Sequence, residues 1–99
     1  MFNQKLMRQM QSKLEKVNQE LGELRLESVV GGGVVKAVAN GQQSIVSVEI
    51  DPSVVDPDDV EMLQDLIVAA MNEALNQSRE AAAKKLSSVT GGLGLPGVS

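Results

Sequence analysis

The chain has 99 residues, enough for one domain, and at that size only about two-thirds of the surface exposed by the unfolded chain can be buried on folding. It has no cysteine, no histidine and a single aromatic residue, Phe2, and its 13 acidic and 9 basic residues give a formal charge of −4. These counts exclude disulfides, thiolate metal sites and imidazole acid–base chemistry, and they remove aromatic stacking as a way to hold single-stranded nucleic acid. No secretory apolar core and no apolar run of about twenty residues is present, so a soluble, cytoplasmic protein is expected, with no membrane contact. A core this small also favours oligomerisation.

Met7, Met10, Leu14, Val17, Leu21 and Leu24 follow a 3-4-3-4-3 spacing, which predicts a heptad helix over 3–25 with Met7 at position a. Lys13 then flanks the seam at g, whereas Lys5, Arg8 and Lys16 fall at f, b and c on the outer face. An amphipathic helix lying on its own sheet would give the same spacing. Both readings hold if the N-terminal half projects and the C-terminal half packs. Gly22, at b, costs the last turns up to about 1 kcal/mol of helix propensity.

Residues 25–30 predict a first strand, and Gly31-Gly32-Gly33 a loop that stays mobile until a neighbouring strand or partner fixes it, or simply a hairpin connection. A phosphate-binding loop does not fit, because a strand follows and no Lys-Ser/Thr pair is present. Asn40-Gly41 between two β-branched runs predicts a two-residue type I′ hairpin with positive φ at both positions. Strict alternation sets Val35, Ala37 and Ala39 against Val34, Lys36 and Val38 on the first arm. On the second it sets Val46, Val48 and Ile50 against Ile45, Ser47 and Glu49. Lys36 reads as an edge charge that discourages strand-to-strand aggregation.

Asp56-Pro57-Asp58-Asp59 reads as a helix start, with Asp56 as N-cap and Pro57 at the first helical position, and it introduces a long helix over about 57–89. The acids suit the helix dipole and lack the spacing of a calcium loop. The remaining residues, 91–99, cannot continue a helix and are expected to form a flexible tail. One domain therefore occupies 1–90, with its strands within about 26–50.

Charge is segregated along this order. Residues 1–17 hold Lys5, Arg8, Lys13 and Lys16 against Glu15 alone. Residues 49–65 hold Glu49, Asp51, Asp56, Asp58, Asp59, Glu61 and Asp65 with no base among them, and Arg79, Lys84 and Lys85 return basic charge near the end. No nucleophile–base pair, metal set or catalytic motif can be assembled, so no enzymatic activity, cofactor or small-molecule substrate is expected. On these grounds the chain is an α+β oligomer with its function open.

The blocks Gly33–Gly41, Val48–Pro52, Glu61–Leu66 with Ala69–Asn72, and Leu95-Pro96-Gly97, in this order, closely resemble the YbaB/EbfC family of small bacterial nucleoid-associated proteins. The resemblance spans the whole chain. It implies an α+β fold of αβββα order, a three-stranded antiparallel sheet with long N- and C-terminal helices, and a tweezer-like homodimer that holds double-stranded DNA between helical arms in the nucleoid. DNA compaction or altered gene expression would follow. Candidate phosphate ligands are Lys5, Arg8, Lys13, Lys16, Arg79, Lys84 and Lys85, which would give salt-sensitive, largely sequence-tolerant binding. The rival reading is a protein-interaction adaptor that uses its seam and its acidic face.

Overall fold

In the computed structural model, residues 3–91 are described, without the side chains of residues 90 and 91; the expected tail, 91–99, lies outside the described residues except for Gly91, which ends the last helix. The element order is α1 (Gln4–Glu23), β1 (Leu26–Val30), β2 (Val35–Ala39), β3 (Ile45–Ile50), a 3-10 turn (Pro52–Val54) and α2 (Val60–Gly91). This is the αβββα order that the sequence predicts.

The strands form an antiparallel meander with β2 in the centre. Val35, Ala37 and Ala39 point to one face and are fully buried against Ala70 and Ala74 of α2. Alanine on both sides lets the helix axis come close to the sheet, and Val30, Val34, Leu63, Leu66, Ile67 and Met71 close the margins of this core. Ser28, paired with Ala37 across the sheet, lies beneath the same helix with an Oγ that has no hydrogen-bond partner among the described residues.

Alternation fails at one place, and the reason is a bulge. Val38 pairs with Ser47 while Ala39 pairs with Ile45, so Val46 is an extra residue in β3. The extra residue turns Ile45 onto the helix side, where it packs against the core, instead of onto the opposite face.

Lys36 also departs from its expected place. It stands on the central strand, where Nζ reaches Glu49 at 3.0 Å and Glu27 at 3.6 Å on the two neighbouring strands. The hydrogen bond to Glu49 and the charges of both glutamates hold its pKa above the usual lysine value. It ties strands together and does not guard an edge.

The turns differ from the predicted chemistry. All three of Gly31, Gly32 and Gly33 take positive φ, and a side chain at Gly31 would also meet Val34 and Leu66. Gly41, by contrast, does not adopt a positive φ, so Asn40-Gly41 is no type I′ turn. The loop runs to Ser44, closed by Asn40 N–H donating to the Ser44 carbonyl at 2.9 Å, with Gln43 as the left-handed residue at φ 62°. The Asn40 side-chain oxygen accepts from Gln42 and Ser44, which stabilises this wider turn.

The start of α2 is likewise displaced. Asp56 closes a turn by accepting from Asp58 N–H, and the capping acceptor is Asp59, whose Oδ1 takes the Met62 N–H at 3.2 Å. Pro57 therefore sits in the approach to the helix. Asp51, at the end of β3, caps the 3-10 turn through Ser53, and those hydrogen bonds hold its carboxyl below the usual range.

α2 is 32 residues long, about 48 Å at 1.5 Å per residue, and the sheet covers only its first half. The molecule is accordingly elongated, 66 × 24 × 17 Å, with a radius of gyration of 18.7 Å against about 13 Å for a compact chain of this length.

Candidate nucleic-acid interface

α1 starts with Asn3 capping the amides of Lys5 and Leu6, and it stops where Leu24 turns extended and Arg25 donates to the Gly22 and Leu24 carbonyls. Its end is fastened to the body by the 40–44 loop. Gly41 N–H donates to the Leu21 carbonyl at 2.7 Å, Gln42 Nε2 donates to the Asn18 carbonyl at 2.8 Å, and Gln43 N–H donates to Ser78 Oγ of α2 at 2.9 Å. Glycine is required at position 41 by proximity, since a Cβ there would lie 2.8 Å from the Leu21 carbonyl oxygen. At Gly22 a Cβ would sit 3.0 Å from Gln42 Nε2, so the residue that weakens the helix also admits its anchor.

From that anchor α1 runs antiparallel along the second half of α2. Lys85 Nζ donates to Glu20 Oε2 at 3.0 Å, and farther out Leu14 and Val17 face Val89 across a groove of about 330 Å³. Of the predicted seam, Val17 and Leu21 are buried, whereas Met7, Met10 and Leu14, with Leu6 beside them, stay exposed. The C-terminal part of the heptad helix packs and the N-terminal part projects.

Lys5, Arg8, Lys13 and Lys16 are all exposed on this arm, and none is ion-paired with a described residue. Lys5 to Lys16 covers about 16 Å of helix, a span over which several phosphates of a duplex pass. Lys13 and Lys16 line the groove beside Glu20. Lys85 is engaged inside the arm, where its hydrogen bond and charge, with a smaller contribution from Lys16, hold the Glu20 carboxyl below its usual range against the opposing effect of burial. Arg79 donates to Asn76 on the same helix, and Lys84 is exposed. Five positions of helix separate them, so they project about 140° apart, the same angle that separates Arg8 from Lys13 on α1.

The geometry thus leaves the four α1 cations within about 140° of arc and outside any ion pair among the described residues, whereas Lys85 of α2 is engaged by Glu20. The Glu20–Lys85 pair joins residues 65 apart in sequence and has no local signal that sequence reading could use. The acidic residues from Asp51 to Asp65 lie at the other end of α2. Among the described residues no three His, Cys, Asp or Glu side chains come together as a metal would require, and no helix is long and apolar enough to cross a membrane.

The sequence pattern of the YbaB/EbfC DNA-binding family matches residues 1–93. The chain belongs to that family. A nucleoid-associated protein of Moorella thermoacetica is 53% identical over 96 residues, which is 94% of this chain and 92% of the relative. Another, of Desulforamulus reducens, is 52% identical over 94 residues, covering 95% and 90% of the two chains. The crystal structure of an uncharacterised Helicobacter pylori protein superposes with a TM-score of 0.73 at 24% identity, over 80% of this chain and 83% of that one, a likeness of fold. YbaB/EbfC membership makes this a nucleoid-associated, DNA-binding type of protein; the family is not an enzymatic one.

Proposed function

We propose that this YbaB/EbfC protein acts as a homodimer whose arms hold double-stranded DNA in the nucleoid by contacts to phosphate, with little preference for sequence, and that it thereby shapes nucleoid organisation and gene expression. The observation that carries this reading is the projecting arm, with Lys5 and Arg8 outward and Lys16 at the edge of the groove, all three exposed and in no ion pair with a described residue. Lysine and arginine on a helix exterior can neutralise phosphates and release counterions, and such contacts position a protein without reading bases. The basic excess of residues 1–17 explains how a chain of net charge −4 can approach a polyanion: the acidic end of α2 keeps duplex away from the body and leaves the start of the arm as the approachable surface.

A second copy is supported by β3, one of the two edge strands, where Val48 and Ile50 on the helix side and Val46 in the bulge are exposed because α2 lies over β1 and β2. Val68 of α2 is also exposed. An uncovered apolar strand edge is a surface that proteins normally pair or cover.

Duplex binding measured across a salt series tests the proposal. The combined Lys5→Gln, Arg8→Gln and Lys16→Gln variant is expected to bind more weakly than the parent, with the log–log salt slope shallower by about 0.9 for each phosphate that the protein no longer neutralises. Circular dichroism and oligomer mass are expected to stay as in the parent, because all three side chains are exposed. Equal affinity and slope in parent and variant would contradict the arm as the DNA-binding surface.

A further inference from the structure

The two ends of the molecule carry opposite charge, and each bears an apolar surface that the protomer leaves uncovered. From Val60 to Lys85 is about 38 Å of helix, and from Glu20 back to Gln4 along α1 is about 24 Å more, together close to the 66 Å long axis. The start of α1 and the start of α2 are therefore at opposite poles.

At the arm tip Leu6 and Met7 are 54% and 53% exposed, flanked by Lys5, Arg8 and Lys13, with no acid before Glu15. At the other pole Val55 and Val60 are 56% and 49% exposed, and Met62 with Leu66 lines a shallow concavity rimmed by Asp59, Glu61 and Asp65. No base occurs between Lys36 and Arg79. Each surface has the apolar centre and single-sign rim that the other requires.

We propose that the arm tip of one copy docks on the acidic pole of another, head to tail. The basic first turns of α1, with their dipole-positive end, meet carboxylates, while Leu6 and Met7 cover Met62 and Val60. A tip-to-tip pairing of the same seam would set Lys5, Arg8 and Lys13 against themselves, so like-charge repulsion disfavours it. The contact is heterologous and does not close on itself, which makes it a route to open chains of the protein. It does not rest on the DNA reading, although both draw on Lys5, Arg8 and Lys13.

Light scattering on the full chain, without DNA, tests this. At about 10 mM salt, where the Debye length is near 30 Å, the parent's apparent mass is expected to rise at least ~twofold above its smallest species. The rise is expected between about 10 μM and 1 mM protein, and it should vanish at about 1 M salt. Lys5→Glu/Arg8→Glu/Lys13→Glu reverses the tip, and Glu61→Lys/Asp65→Lys reverses the pole while leaving the Asp59 cap in place. Each variant alone, folded by circular dichroism, is expected to lose the rise, and an equimolar mixture is expected to restore it because each tip then meets an opposite pole. Association of the tip variant equal to or above the parent would overturn the proposal in favour of tip-to-tip pairing. No rise in the parent, or no restoration in the mixture, would overturn it as well and leave the acidic pole to a basic partner other than this chain.

Discussion

The sheet with the first half of α2 and the arm made of α1 with the second half of α2 satisfy their apolar residues in different ways. In the body Val35, Ala37 and Ala39 meet Ala70 and Ala74 with no exposure, and the charged Lys36 on the reverse face finds carboxylates on both sides. In the arm a regular heptad stripe is covered only at Val17 and Leu21, and the basic residues of α1 are left without ion-pair partners among the described residues. Regular patterning is thus not evidence of internal packing: the same spacing that buries Leu21 leaves Leu14, one heptad away, 43% exposed. The body's residues are accounted for by the fold, whereas those of the arm are accounted for by what it can touch.

The sharpest separation of the two regions is between Leu21 and Leu14. Leu21→Ala is expected to cost about 2–4 kcal/mol of stability, and Leu14→Ala less than about 1 kcal/mol, read from urea or thermal unfolding. Equal losses would mean that the arm tip is packed like the body.

The junction comes next. Gly41→Ala puts a Cβ against the Leu21 backbone, which no rotamer change can relieve, and is expected to cost about 1–3 kcal/mol and to raise amide exchange at the end of α1. A neutral outcome would show that the 40–44 loop does not hold the arm.

The smallest expected effect concerns Glu20. Its carboxyl is held low in the folded state, so the stability it contributes is present above the ordinary glutamate value of about 4.3 and is lost as pH falls through the lowered folded value. Glu20→Gln should therefore melt slightly below the parent at neutral pH, and the two curves should converge as pH falls below about 4. A difference that persists in acid would assign the effect to something other than the Lys85 pair.

Most of the fold is legible in the sequence because it is written in local periodicity: the 3-4 seam, the alternation of β2 and the small-residue face of α2 each follow from neighbours a few residues apart. The misplacements have a common origin in distant contacts. Turn geometry alone points to a glycine with positive φ at position 41, but what requires glycine there is Leu21, twenty residues earlier. Asp56 and Asp59 are both competent caps with suitable neighbours, and only the path of the chain after the 3-10 turn selects Asp59. Ile45 changes face because of a bulge that no single residue announces. For the candidate site, the segregation of charge is readable directly from the residues. The engagement of Lys85 by Glu20 emerges only with the helices placed side by side.

Backbone and side-chain NMR of the protein titrated with a short duplex tests the proposed role of the arm most directly. Shifts are expected at Lys5, Arg8, Lys13 and Lys16, with none at Asp58, Glu61 or Asp65. Shifts centred on the sheet or on the acidic end of α2, with residues 4–16 unmoved, would contradict it.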